Sequence, residues 1–399
     1  MLNRVGFARL LFFLGAALLA LFEVANVYFI MPLPGSQRTR SLELAYALYS
    51  ARWTIRTAAA VLMLAGAWPV LRAGTRTRIA AALTLLVVSG VSYAFNFRMA
   101  ADAMFLPPTT VRMEPASRNT VAMDRLVVGV EQNGEARAYP LQFIGYHHQL
   151  RDTIANTEVL VSYCTVCRTG RVFRPVVKGE VMQFRLVGMD HFNAMLEDVR
   201  TGSWWRQANG QAVAGPLTGA IMTEVPSRQV SLKQWLALYP NSLVFQGDSA
   251  FTAEYTKDYA FERGTSRKKL TGTDTASWRE KSWVVGVSLD GVSRAYDWNH
   301  LERVRVINDV VGKTPVVIAL ASDSVSFFAF ARPDASVMFT INGDSLVAGT
   351  GATARRYAFN GKGTDGELMP IIASQEFWHS WQTFQPTTDQ FPRTQQAAK

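Results

Sequence analysis

The apolar positions of this chain follow two regimes. Up to about residue 100 they come in long unbroken runs, and beyond it in short alternating ones. Leu10 to Met31 is apolar except for Glu23 and Asn26, and Pro32, Pro34 and Gly35 stop it. About 20 such residues cross a bilayer core as a helix. A second run, Thr57 to Leu71, reaches that length if it begins near Trp53 with Arg56 snorkelling to the interface, and Ile79 to Phe97 is a third. The pattern predicts a transmembrane region over 1–100 with spans at about 10–31, 53–71 and 79–97. A cleaved signal peptide fits less well, because no small-x-small site follows the first run and two more apolar runs come after it.

From Leu106 the pattern changes. A linker rich in Pro, Thr and Arg covers 101–124, followed by short runs of β-branched and aromatic residues. VVGVEQNGEARAYP (Val127 to Pro140) recurs as VVGVSLDGVSRAYD (Val284 to Asp297), identical at eight of fourteen positions. At the same offset Asp152 meets Asp309, Thr157 meets Thr314 and Val159 meets Val316. QWLALYPNS around Trp235 resembles SWQTFQPTT around Trp381, at an offset shorter by eleven. A repeat this long is no solenoid unit. It predicts two similar β-rich lobes from an internal duplication, at 125–245 and 283–390, joined by a connecting segment at 246–282. Asn133-Gly134 and Asp290-Gly291 mark a hairpin at the head of each lobe. Leu160–Tyr163, Arg171–Arg174, Pro315–Leu320 and Ser324–Phe330 read as further strands, with short helices over Leu232–Tyr239 and Phe377–Phe384. The expected fold class is mainly β (α+β), preceded by three transmembrane helices.

The formal charge of +10 resembles a nucleic-acid signal until it is located. Residues 1–100 carry ten Arg, no Lys and two acids, which gives +8; the rest carry 31 basic against 29 acidic groups, which gives +2. Basicity flanks the apolar runs, so the expected partner is a membrane and not nucleic acid. Arg72 to Arg78, with three Arg and no acid, and the N-terminus with Arg4 and Arg9 belong inside under the positive-inside rule. Arg38, Arg40 and Arg52 in the first connection blunt that contrast. The expectation is a multi-pass inner (cytoplasmic) membrane protein with its C-terminal domain in the periplasm. Glu23 inside a span is expected to reach headgroups or a neighbouring helix.

The only cysteines, Cys164 and Cys167, stand at a turn between two strand-like runs. In the second copy their positions are Ala321 and Ser324, and that of His147 is Val304, so this trio is a specialisation of one lobe. Cys-x-x-Cys admits three readings. A redox pair needs a lowered thiol pKa, usually from a helix N-terminus, and here a strand follows; Arg168 and Arg171 are candidate thiolate stabilisers. A closed zinc site needs four ligands, so two must come from His147, His148, His191, His300, His379 or carboxylates. A disulfide staple needs only an oxidising compartment. The candidate catalytic residues are Cys164, Cys167, His147 and Asp152, the carboxylate orienting the imidazole; the candidate metal ligands are Cys164, Cys167 and His147, for zinc, copper or iron. Arg137-Ala138-Tyr139 recurs as Arg294-Ala295-Tyr296 and reads chiefly as architecture, with Arg paired to a carboxylate and Tyr in the core.

The ordered series GVEQNGEARAYP, His147 with Asp152, YCTVCRTGRVF, TGSWWRQANGQAVAGPLTG and QWLALYP resembles the bacterial domain-of-unknown-function family 3179, from about Val127 to Pro386. The family pattern reads His-Glu-Ile-Val-Asn-Asp where this chain has HHQLRD, so His147 and Asp152 match while His148 and Arg151 depart. The family turn reads Cys-Pro-Leu-Cys-Gly, and Thr165, Val166 and Arg168 replace its interior, which weakens a rubredoxin-like knuckle. Asn193, Asp198, Trp204, Gln207 and Gly215 fall on family motif positions; the first four, with Arg137, form the candidate cofactor-binding set. The resemblance implies an extracytoplasmic β-rich domain and no reaction. The leading expectation is a metal-binding or thiol-redox site. Its rival is a non-catalytic module for a small molecule or envelope protein, with the cysteines bracing a hairpin. A third reading is a membrane-complex subunit with Glu23 and Asn26 at helix contacts.

Overall fold

The computed structural model describes residues 4–39 and 41–392, so Arg40 of the first connection lies outside the described residues. The chain is α+β. It divides into two compact units, one of Met1–Leu106, Phe184–Trp205 and Ala212–Gly219, the other of Pro107–Gln183, Arg206–Gln211 and Ala220–Lys399.

The first unit is built on helices α1 (Arg4–Tyr28), α2 (Leu42–Ser50), α3 (Arg52–Leu71) and α4 (Thr75–Phe97). Of these, α1, α3 and α4 are long and apolar enough to cross a membrane. The first run was expected to continue to Met31, but the helix stops at Tyr28, because Pro32 and Pro34 push the preceding backbone toward extended conformations. Helix α2 was not expected. It is too short and too mixed in polarity to stand out from sequence. Small residues bring α1 and α3 together: a Cβ on Gly66 would lie 2.4 Å from the Ala8 carbonyl oxygen, and one on Gly15 2.6 Å from that of Ala59.

Three polar groups meet among these helices. Arg56 of α3 donates to both carboxylate oxygens of Glu23 on α1, at 2.8 Å each. Asn96 of α4 donates to Glu23 at 2.9 Å and accepts from Arg56 at 2.6 Å. Glu23 thus reaches its neighbouring helices, and Arg56 is paired inside the bundle instead of snorkelling.

Residues 184–219 of the expected first lobe largely pack with this unit. Their strands Ala212–Ala214, Trp204–Arg206, Asn193–Asp198 and Phe184–Asp190 form one sheet in that order. Met189 N–H donates to the Ile30 carbonyl at 2.7 Å, and Phe192 N–H to Gln37 Oε1 at 3.2 Å. Tyr49 O–H donates to Glu197 at 3.3 Å, and the Tyr46 ring packs edge-on to Trp204. The connection between α1 and α3 therefore packs with residues 184–205.

In the second unit one order of elements occurs twice. Strands Leu126–Gln132 and Glu135–Pro140, helix Leu141–His147, and strands Gln149–Ile154, Thr157–Cys164 and Thr169–Phe173 come first. Trp283–Leu289, Val292–Asp297, Trp298–Val304, Val306–Val311, Thr314–Leu320 and Phe327–Ala331 follow them type for type. The hairpin registers agree, Val127 opposite Pro140 and Val284 opposite Asp297. Each series then adds a strand, a helix and a parallel strand: Ser227–Ser231, Leu232–Leu238 and Leu243–Phe245, against Ala373–Phe377, Trp378–Phe384 and Asp389–Phe391. In each, a tryptophan fills the space above a strand glycine. A Cβ on Gly129 would lie 2.3 Å from Trp235, and one on Gly286 2.1 Å from Trp381.

The two lobes exchange contacts reciprocally. The Thr165–Arg168 turn meets the strand–helix junction at Phe377, where Phe377 N–H donates to the Cys167 carbonyl at 2.9 Å. The Ser322–Val325 turn meets the corresponding junction at Ser231. There Ser231 N–H donates to Ser326 Oγ at 2.8 Å and Ser231 Oγ–H to Asp323 at 2.8 Å. Between these contacts Gln229 donates to Gln375 at 2.5 Å.

Candidate functional site

The site begins with a hairpin. The β-branched and aromatic run before Cys164 and the Thr169–Phe173 run after it form an antiparallel pair, with Cys164 opposite Thr169. Four residues close the turn, the last of them Arg168 at φ 57°. Both cysteines are free and fully buried. Their thiols hydrogen-bond to one another, and the Ser380 hydroxyl is in hydrogen-bond contact with the Cys167 sulfur. Burial, then the neighbouring Cys164, push the Cys167 thiol well above its ordinary pKa. The Cys167 thiol therefore rests protonated.

The two arginines expected to stabilise a thiolate are committed elsewhere. Arg168, fully buried, donates to Gln375 Oε1 at 3.0 Å, to the Phe261 carbonyl at 2.7 Å and to the Glu262 carbonyl at 3.0 Å. Its guanidinium lies 3.7 Å from the Trp283 ring centroid. Arg171 pairs with Glu224 at 2.9 Å and Glu376 at 2.6 Å. Both arginines tie the hairpin to other segments, and their charge is spent there.

The other wall comes from the second lobe. His379 Nε2 donates to the Val166 carbonyl at 3.3 Å, and Ser380 Oγ–H to Glu376 at 2.9 Å. Burial, then the charge of Lys281, hold His379 down to about 4, so its ring is neutral at pH 7. Burial also lowers Lys281, which lies within the electrostatic reach of Cys167 and Cys164. Gln207 completes the first-lobe side by donating to the Thr169 carbonyl at 2.9 Å and to Ser162 Oγ at 3.2 Å.

The remaining expected residues are dispersed. His147, at a helix end, has Nε2 2.7 Å from the Tyr255 hydroxyl, and its ring packs against Tyr146, Phe251 and Tyr255. Asp152 accepts from the Tyr139 hydroxyl at 2.7 Å and lies 4.0 Å from Arg137, which also pairs with Glu135. It does not orient His147 as expected. Asp309 takes the same bonds from Tyr296 and Arg294, so this arrangement belongs to the framework of both lobes. Asn193, Asp198 and Trp204 belong to the other compact unit, where Asp198 accepts from Trp205 Nε1 and Trp204 Nε1 donates to Glu197, each at 3.0 Å. Of the candidate cofactor-binding set, Gln207 stands beside the cysteine hairpin.

Among the described residues no three His, Cys, Asp or Glu side chains group so as to hold a metal ion. Cys164, Cys167 and His147 are therefore not assembled into the expected metal trio. Two cysteines alone fall short of the four ligands that a closed zinc site needs.

Groups that the second copy has and the first lacks also reach the site. Glu376, His379 and Ser380 stand where the first copy has Val230, Lys233 and Gln234, and that difference was visible in the sequence. Separately, a cavity of about 240 Å³ between the lobes is lined by Glu131, Gln132, Arg228, Phe327 and Phe328 among others, and by neither cysteine.

A model of the family described as "Protein of unknown function (DUF3179)" matches residues 107–388. The chain belongs to that family. No curated protein and no solved structure matches it. The family match covers both lobes, and so both walls of the thiol site, and begins beyond the three apolar helices.

Proposed function

We propose that this is a multi-pass inner-membrane protein whose C-terminal domain faces the periplasm, and that its two lobes arose by duplication. We propose further that its reactive element is a dithiol/disulfide couple at Cys164 and Cys167. The observation that carries this reading is the pair itself: two free thiols, hydrogen-bonded to each other and enclosed by polar groups. At the corresponding contact the other lobe uses Ser231, Asp323 and Ser326, which fasten without any redox chemistry. Because burial raises the Cys167 thiol, the reduced form is not held as a thiolate there. The couple should then have a low potential and favour the disulfide at equilibrium in an oxidising compartment.

The test is to equilibrate the full-length protein in dithiothreitol redox buffers, quench with acid, and alkylate the thiols after unfolding. A two-electron titration with loss of both thiols is expected, together with slow alkylation of the folded, reduced form. Two thiols that stay alkylatable in the most oxidising buffer would refute the couple. Stoichiometric metal in the purified protein would return the site to metal binding.

A second reading, a non-catalytic binding module with the cysteines as a brace, is favoured by the interlobe cavity, which neither cysteine lines. It predicts that the Cys164→Ala/Cys167→Ala variant retains whatever binding the cavity supports.

A further inference from the structure

Resting on the dithiol reading, we infer that the oxidation state of Cys164 and Cys167 controls how firmly the two lobes are docked, by loosening one of the two reciprocal contacts and leaving the other unchanged. The argument starts from where the ties are made. Phe377 N–H holds the Cys167 carbonyl, His379 Nε2–H the Val166 carbonyl, and Ser380 the Cys167 sulfur. Both carbonyl acceptors and the sulfur in contact with Ser380 Oγ lie within or between the two cysteines.

Closing the bond proceeds by exchange with a disulfide-bearing oxidant. One cysteine loses its proton and attacks a sulfur of that disulfide, whose other sulfur leaves and is protonated. The second cysteine then attacks the mixed disulfide, so two thiols leave the oxidant and the protein keeps one new S–S bond. The protein is oxidised by two electrons and the oxidant reduced by two.

Oxidation moves the sulfurs from hydrogen-bond separation to about 2.05 Å. Both S–H donors disappear, and the two residues between the cysteines must shift to close so small a ring. The Val166 and Cys167 carbonyls shift with them, away from His379 and Phe377. The contact at Ser231 contains no sulfur, so the same chemistry leaves its bonds to Ser326 and Asp323 in place.

Hydrogen–deuterium exchange of the full-length protein, reduced and oxidised, tests this. The peptide containing Phe377 should exchange about tenfold faster when oxidised, the loss of one ordinary hydrogen bond. The peptide containing Ser231 should be unchanged, and a Cys164→Ser/Cys167→Ser variant should not respond to redox buffer at either place. Oxidation without a difference at Phe377, or with equal acceleration at both junctions, would overturn the inference while leaving the couple intact. Thiols that never oxidise would overturn both.

Discussion

Replacing Arg168 with methionine removes the group that joins the cysteine turn, the connecting segment and the second lobe, while keeping a side chain of similar length. Three hydrogen bonds are lost, to Gln375 and to the Phe261 and Glu262 carbonyls. Charge-assisted bonds contribute about 1.5–3 kcal/mol each, and a desolvated cation over Trp283 about 2 kcal/mol more. Adding those figures overstates the effect, because burying the guanidinium has its own desolvation cost, which methionine does not incur. Two backbone carbonyls are nevertheless left without their donor. The net loss should be about 3–5 kcal/mol, a large part of the roughly 5–15 kcal/mol typical of a domain. The assay is denaturant unfolding of the full-length protein in detergent, followed by tryptophan fluorescence, to which Trp283 contributes. Arg174→Met, at an exposed position three residues beyond Arg171 and just past the end of its strand, is the control and should stay within about 0.5 kcal/mol. A loss below about 1 kcal/mol for Arg168→Met would show that the buried guanidinium does not hold these segments together, and the reasoning would fail.

Three further outcomes follow from the same physics. Glu23→Gln leaves Arg56 with an uncompensated charge among the apolar helices and should lower stability in detergent by about 1–3 kcal/mol; exchanging the two residues should recover part of it, and no recovery would mean that packing alone sets the loss. Burial holds His148 and His379 down to about 4, so the unfolded chain takes up protons near pH 6.5 while the folded one waits until about pH 4. Stability should therefore fall as pH drops through that window, by at most about 3 kcal/mol per ring, and His379→Gln should flatten the pH dependence of unfolding; an unchanged slope would refute a neutral buried ring. Single cysteines at Thr39 and Arg174 should react with a membrane-impermeant maleimide from the periplasmic side, and one at Gly74 only after permeabilisation. The buried native thiols add no background. The reverse pattern would refute the orientation, and opposite sides for Thr39 and Arg174 would refute three spans.

Reading the sequence for asymmetry between the copies located the cysteine turn but misassigned its surroundings. His147 and Asp152 are five residues apart, so they looked like a unit. The helix that ends at His147 carries its imidazole toward Tyr255, while Asp152 sits on the following strand beside Tyr139. Nothing in the spacing distinguishes these directions. Arg168 and Arg171 looked available to the thiols because they are adjacent in sequence. Their partners Gln375 and Glu376 are some 205–207 positions away, and only folding brings them into reach.

By itself the sequence determined the three apolar helices, the repeated hairpins and the sulfur-bearing turn. Those depend on local properties: an unbroken apolar run, strand-period alternation around Asn-Gly or Asp-Gly, and the bare count of two cysteines. Tertiary structure alone decided that each lobe's turn docks on the other's strand–helix junction, which makes Phe377, His379 and Ser380 of the second lobe the wall of a site whose thiols belong to the first. It also decided that most of 184–219 packs with the apolar helices, and that the Cys167 thiol rests neutral. Burial and long-range hydrogen bonds set these outcomes, and both depend on segments far apart along the chain.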